Sequence, residues 1–144
     1  MIRQMRASDV DGLFDLALAL WPGHSREELA VVFGTLLNAE DAAVFGWQEE
    51  GRWEAFAQCQ LRHDYVEGCE TSPVGYLEGI YVREPFRGKG VARALLARCQ
   101  TWAREQGCRE FASDCELSNE DSLRFHLAMG FEEAGRIICF TKRL

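Results

Sequence analysis

The stretch from Val74 to Cys115 constrains this chain more than any other. Val74–Val82 is apolar and bounded by turn residues, which predicts a strand. Arg87-Gly88-Lys89-Gly90 follows as a basic turn, and Val91 to about Gln106 carries helical spacing. Gly107 sits where a C′ glycine ends a helix. Glu110–Cys115 then reads as a further strand. A strand, a long helix and a second strand in one sheet form a parallel pair joined by a right-handed crossover. The first helical amides have no partner inside their helix and, with the helix dipole, point at whatever lies in the turn.

The remaining segments are arranged around that unit. Ile2–Met5 predicts a short first strand. Ser8 is expected to cap a helix running to Leu20, ended by Pro22-Gly23. Ser25 and Glu28 form a capping box for a second helix. Ala42–Gln48 and Trp53–Arg62 read as paired strands joined by the Glu49–Arg52 turn, and His63–Pro73 as a polar loop. Asn119–Met129 predicts a helix closed by Gly130, and Phe131–Gly135 with Arg136–Lys142 a final strand pair. The expected fold is α+β, mixed α/β in order: a central, mostly antiparallel sheet of six to seven strands flanked by about four helices, in one domain over residues 1–144.

Composition narrows the function. The chain has 144 residues, 23 acidic and 16 basic, for a net charge of −7. That sign argues against non-specific nucleic-acid binding and suits a polycationic ligand. No apolar run approaches a membrane span, and the N-terminus lacks the pattern of a signal peptide, so no membrane association and a cytoplasmic location are expected. The six cysteines lack zinc-ligand spacing and are expected to be reduced thiols, mostly buried, with no metal.

The basic turn is a diphosphate site in outline, yet two common phosphate motifs fail. Lys89 is followed by Gly90 rather than Ser or Thr, and the third small position of a dinucleotide fingerprint is Arg93. Arg87-x-x-Gly90-x-Ala92 instead resembles the coenzyme-A loop of the GNAT N-acetyltransferase superfamily. That resemblance runs over nearly the whole chain and is strongest from Tyr76 to Phe131. It implies acetyl-CoA as co-substrate. Its diphosphate would be held by Arg87, Gly88, Lys89, Gly90, Val91 and Ala92, and its pantetheine arm by the backbone of Ile80, Tyr81 and Val82. Asn119 resembles a further coenzyme contact. Where many members carry a Tyr before the Gly130-Phe131 pair, this chain has His126. Imidazole can donate a proton to a departing thiolate, or simply pack beside the coenzyme.

Four segments resemble a finer branch, the aminoglycoside 6′-N-acetyltransferases: Leu20–His24, Arg62–Val66, Leu77–Val82 and Gly107–Asp114. The resemblance implies that Trp21, His24, Tyr65, Glu78 and Asp114 line the acceptor site and that the enzyme is a homodimer. Read from the residues alone, Glu78 lies inside an apolar strand, and alternation sets it on one face with Tyr76, Ile80 and Val82. Such a carboxylate needs a partner, either a ligand cation or an internal arginine. Asp114, at the end of its strand, is the candidate proton acceptor. Cys115 has no evident His partner to make it a nucleophile. Three alternatives stand beside this reading: acetylation of a polyamine, of a small amino sugar or of a protein N-terminus. A module that binds coenzyme A or drug without turnover is a fourth.

Overall fold

The computed structural model describes residues 1–144. Five strands form one open sheet in the order β1 (Ile2–Gln4), β2 (Ala42–Glu49), β3 (Arg52–Arg62), β4 (Val74–Val82), β5 (Phe111–Ser113). All neighbours are antiparallel except β4 and β5, the parallel pair expected from the crossover. The four helices are α1 (Val10–Leu20), α2 (Arg26–Leu36), α3 (Val91–Glu105) and α4 (Glu120–Ala128). The fold is thus the expected mixed α/β type, with five strands rather than six or seven. Residues 131–144 run without regular structure and largely exposed. A strand exists only where a neighbouring edge takes up its backbone groups. The sheet ends at β5, which pairs on one side alone.

Helices cover both faces. On one, Leu95, Leu96, Cys99 and Trp102 of α3 pack on Phe45, Ala55, Ala57, Cys59, Leu77 and Val82. On the other, Leu13, Leu16, Leu29 and Phe33 of α1 and α2 pack on Val44 and Phe56. Three of the six thiols are buried, at Cys59, Cys99 and Cys108; Cys69 is half-buried, and Cys115 and Cys139 are exposed. No helix is long and apolar enough to cross a membrane.

Local chemistry explains the ends of the elements. The β2–β3 turn has Glu50 and Gly51 both at positive φ, 49° and 79°, the two-residue hairpin geometry. Ser25 Oγ accepts from Glu28 N–H at 3.1 Å and caps α2 as expected. The start of α1 differs from expectation. Residues Ala7–Asp9 form a 3-10 turn, and the organising group is Asp9, not Ser8: its carboxylate accepts from Arg6 N–H at 2.8 Å and pairs with Arg3.

The feature that matters most for the site is a bulge. Gln58 faces Gly79 and Cys59 faces Leu77, so Glu78 is an extra residue in β4. Alternation is therefore reset within the strand. Leu77 and then Ile80 and Val82 meet the α3 core, whereas Tyr76 joins Val66 and Val74 on a separate cluster. The expected shared face for Tyr76, Glu78, Ile80 and Val82 is corrected accordingly, because one unpaired residue shifts every later side chain to the other face. Gly79 lies against the indole of Trp21: a Cβ there would come within 2.6 Å of the ring.

The β3–β4 loop is tied down by Glu110, just before β5. Its Oε1 accepts from Glu70 N–H at 2.9 Å, Thr71 N–H at 2.8 Å and the Thr71 hydroxyl. The hydroxyl first, then the two amides, hold this carboxyl below the ordinary glutamate value of 4.5.

Two outcomes follow. Gly79→Ala should force Trp21 aside and cost about 1–3 kcal/mol, lowering the melting temperature by roughly 2–10 °C; an unchanged calorimetric transition would remove the close packing. Because the Glu110 carboxyl is depressed in the fold, its tie is fully present above the ordinary value and is lost as pH falls through the depressed one. Hydrogen exchange at the Glu70 and Thr71 amides, corrected for intrinsic rates, should accelerate in that acid window, well before global unfolding.

Candidate active site

Between β4 and β5 the sheet opens. Pairing runs Gly75↔Phe111, Tyr76↔Ala112, Leu77↔Ser113 and stops. From Glu78 to Val82 the backbone of β4 has no strand on that side, a free edge of about 13 Å at ~3.3 Å per residue. An extended chain with amide groups can add to such an edge as a surrogate strand. Ile80, Tyr81 and Val82 lie on it.

At the far end of that edge stands the basic turn. Gly88 and Gly90 have φ of 73° and 82°, the left-handed region that favours glycine. Gly90 is the N-cap of α3, and Ala94 N–H gives the first helical bond, to Gly90 O. The amides of Val91, Ala92 and Arg93 therefore have no partner in the helix and open on the turn. Arg87 is anchored by Nε donating to Val82 O at 2.7 Å, with its guanidinium 5.5 Å from the Tyr81 ring centre. Lys89 Nζ lies 5.8 Å from the Phe86 ring centre. This fixed arrangement of amides and two cations suits a diphosphate.

At the near end, four residues from two strands, β3 and β4, and the segment after β5 are linked. Arg62 makes a forked pair with Glu78: Nε to Oε1 at 3.1 Å, Nη2 to Oε1 at 2.9 Å and to Oε2 at 3.1 Å. The same guanidinium lies 3.4 Å from the Tyr76 ring centre. The Tyr76 hydroxyl donates to Asp114 Oδ2. Burial first, and then this bond, push the Tyr76 hydroxyl well above its ordinary value, so it stays a proton donor. The bulge turns Glu78 toward this cluster, and Trp21 flanks it across Gly79.

The other sequence-derived candidates lie differently. His24 Nδ1 is 3.1 Å from Glu28 on the exposed start of α2. Tyr65 is 80% exposed, its hydroxyl donating to Glu67 at 2.7 Å. Neither joins the carboxylate cluster. Asn119 is the N-cap of α4, accepting from Ser122 N–H at 3.1 Å. His126 Nδ1 is 2.7 Å from Ser122 O and Nε2 is 2.8 Å from Ser113 Oγ, while its ring packs on Phe131. Ser122 O can only accept, so Nδ1 carries a proton and donates to it. Both ring nitrogens are thus engaged by the protein itself.

Sequence reasoning passed over Arg62, Tyr76 and Glu110 as functional groups. Arg62 sits in a segment that carries the resemblance, and an arginine partner for Glu78 was one of the two readings, but which arginine depends on pairing across strands. A surface hollow lined by Glu49, Glu54, Arg83 and Phe86 among others lies at the opposite end of β3. No group of three His, Cys, Asp or Glu side chains is arranged to hold a metal ion.

Comparison with known proteins converges on one family. The family model described as the acetyltransferase (GNAT) family matches residues 10–131. The aminoglycoside N(6′)-acetyltransferase type 1 of Salmonella typhimurium is 43% identical over 142 residues, 99% of this chain and 98% of that protein. Among solved structures, AAC(6′)-Iy in complex with the bisubstrate analog CoA-S-monomethyl-acetylneamine superposes with a TM-score of 0.95 at 42% identity, covering 100% of this chain and 98% of the other. The apo aminoglycoside 6′-N-acetyltransferase AAC(6′)-IG from Acinetobacter haemolyticus gives 0.96 at 33% identity, covering 100% and 99%. With the free strand edge, the phosphate turn and the full-length similarity together, the chain belongs to the GNAT acetyltransferase family, among the aminoglycoside N(6′)-acetyltransferases.

Proposed function

We propose that this protein transfers the acetyl group of acetyl-CoA to the 6′-amino group of an aminoglycoside, by direct attack in one ternary complex, and so confers resistance to the antibiotic. The observation that carries this reading is the β4–β5 pairing that ends at Leu77↔Ser113. It leaves a backbone edge for a pantetheine arm, with the amides of α3 at one end and Glu78 and Asp114 at the other.

Each group then has a task. Arg87, Gly88, Lys89, Gly90, Val91 and Ala92 hold the diphosphate through backbone amides and two cations. The backbone of Ile80, Tyr81 and Val82 pairs with the pantetheine arm, and an amide near Ile80 polarises the thioester carbonyl. The acceptor must attack as a free amine, because an ammonium has no lone pair. Asp114 takes its proton, directly or through a water, or sets its position. Glu78, Tyr65, His24 and the wall of Trp21 hold the sugar rings and their ammonium groups. His126 is assigned to packing and to fixing Ser113 on β5, since its two nitrogens are occupied. Asn119 is assigned a coenzyme contact in addition to its cap. The activity resides in one domain, residues 1–144, in the cytoplasm. The homodimer reading is supported by an unpaired β5 edge and an exposed apolar tail, with Ile137, Ile138 and Phe140 78%, 81% and 90% exposed.

Mass spectrometry of kanamycin after incubation with acetyl-CoA should show one added acetyl group on the 6′ nitrogen. Acetylation only of polyamines, small amino sugars or peptide N-termini would move the acceptor assignment to those classes, and binding without thiol release would make the protein a non-catalytic module. Asp114→Ala should lower kcat by roughly 10²–10⁴-fold while the KM for acetyl-CoA stays nearly constant. A carboxylate at the turn should act in the opposite way: Gly90→Glu adds left-handed strain and an anion beside the diphosphate, and should weaken coenzyme binding by more than about tenfold in calorimetry.

A further inference from the structure

The two acceptor-side carboxylates are not bare. Glu78 is held by Nε and Nη2 of the Arg62 guanidinium, and Asp114 by the Tyr76 hydroxyl. Arg62 joins the two halves, because it is stacked on the ring whose hydroxyl holds Asp114. Its side chain is still 38% exposed, and that of Glu78 is 21% exposed. A guanidinium in that position satisfies the demands an acceptor ammonium would: a carboxylate in front and an aromatic face beside it.

We propose that Arg62 is a resident cation of the acceptor site, an internal stand-in for a substrate ammonium that must leave Glu78 before a polycationic acceptor can bind. The inference rests on the acceptor assignment of Glu78 and Asp114 made above. The physical argument is competition. A substrate ammonium and Arg62 seek the same carboxylate, and like charges at contact distance repel. The tethered cation always has a high effective concentration, so only the fraction of molecules with Glu78 released accepts substrate, and the apparent affinity falls by that fraction. The partial exposure of Arg62 gives its guanidinium a path to solvent. Arg62 is in this sense a specificity-determining residue: it sets a threshold that an acceptor crosses by bringing several ammonium groups into the same acidic site. It has no part in holding acetyl-CoA, which is assigned to the backbone of Ile80–Val82 and the turn at residues 87–92.

The test uses the full-length protein, with kanamycin and acetyl-CoA as substrates and thiol release as the assay. Arg62→Gln should lower the KM for kanamycin about three- to tenfold and leave the KM for acetyl-CoA within about twofold. Arg62→Lys, a cation without the fork, should fall between the two. Methylguanidinium chloride should restore the lost competition, raising the kanamycin KM of Arg62→Gln more than an equal ionic strength of sodium chloride does. A rise in the kanamycin KM of a stably folded Arg62→Gln protein would overturn the proposal and make Arg62 a residue that merely orients Glu78. Should the variant not fold, the wild-type protein decides the matter through the Arg62 Nε–H resonance. Saturation with kanamycin should speed its hydrogen exchange, and a signal as protected as before would overturn the proposal. Wild-type turnover is the control: no thiol release indicts the acceptor reading itself, whereas turnover with the Arg62–Glu78 pair intact indicts this inference alone.

Discussion

The brevity of one strand pairing governs this molecule. β4 and β5 share three residue pairs and then part, although β4 continues for five more residues. A sheet normally consumes the polar groups of its backbone. Here a row of them is withheld from the sheet, where β4 runs on past the end of β5. The two helical layers make this tolerable, because α3 buries the apolar side of β4 while α1 and α2 cover the sheet's other face. The backbone of the opening is therefore packed on both sides, and it sets the spacing of the groups at its two ends. A set spacing is what a reaction between two large bound molecules requires, since the entropy of bringing them together is met before they meet.

Charge is divided along the same line. Arg87 and Lys89 follow one end of the free edge, and Glu78 and Asp114 lie at the other, with about a dozen ångströms of strand between them at ~3.3 Å per residue. On the proposed reading, an anionic coenzyme and a cationic acceptor are each drawn to a separate end. The overall charge of −7 adds a weak long-range attraction for a polycation. Arg62 runs against this division, a cation on the acidic side, and for that reason its location calls for a role.

Much of the scaffold was legible in the sequence because its signals are local. The bounds of β4 were read to the residue from an apolar run between turn residues. The start of α3 followed from glycines placed before a helical pattern, and the α2 cap from Ser25 and Glu28. The phosphate turn was equally plain, since amides, glycines and cations are contiguous there. What failed to show was everything set by contact between distant segments. The bulge at Glu78 comes from how β3 and β4 align, and no single-strand pattern encodes it; strict alternation therefore put Ile80 and Val82 on the wrong face. The tie from Glu110 to the β3–β4 loop spans some forty positions, and the link from Tyr76 to Asp114 nearly as many. The C-terminal residues have the alternation of strands but pair with no strand of the chain, and the outer edge of β5 stays free. The role of Asp9 did not show either, because the backward reach of its carboxylate to Arg3 and Arg6 depends on the first strand turning in beside it.

The alignment of β3 and β4 says something further about Glu78. Cys59 faces Leu77 and Gln58 faces Gly79, so the ladder on either side is already complete and Glu78 contributes to none of its rungs. Excised on paper, it would leave an ordinary hairpin in which every remaining residue kept its opposite number and its side. The position adds no rung to the ladder; what it adds is a turn of the strand and a displayed carboxylate.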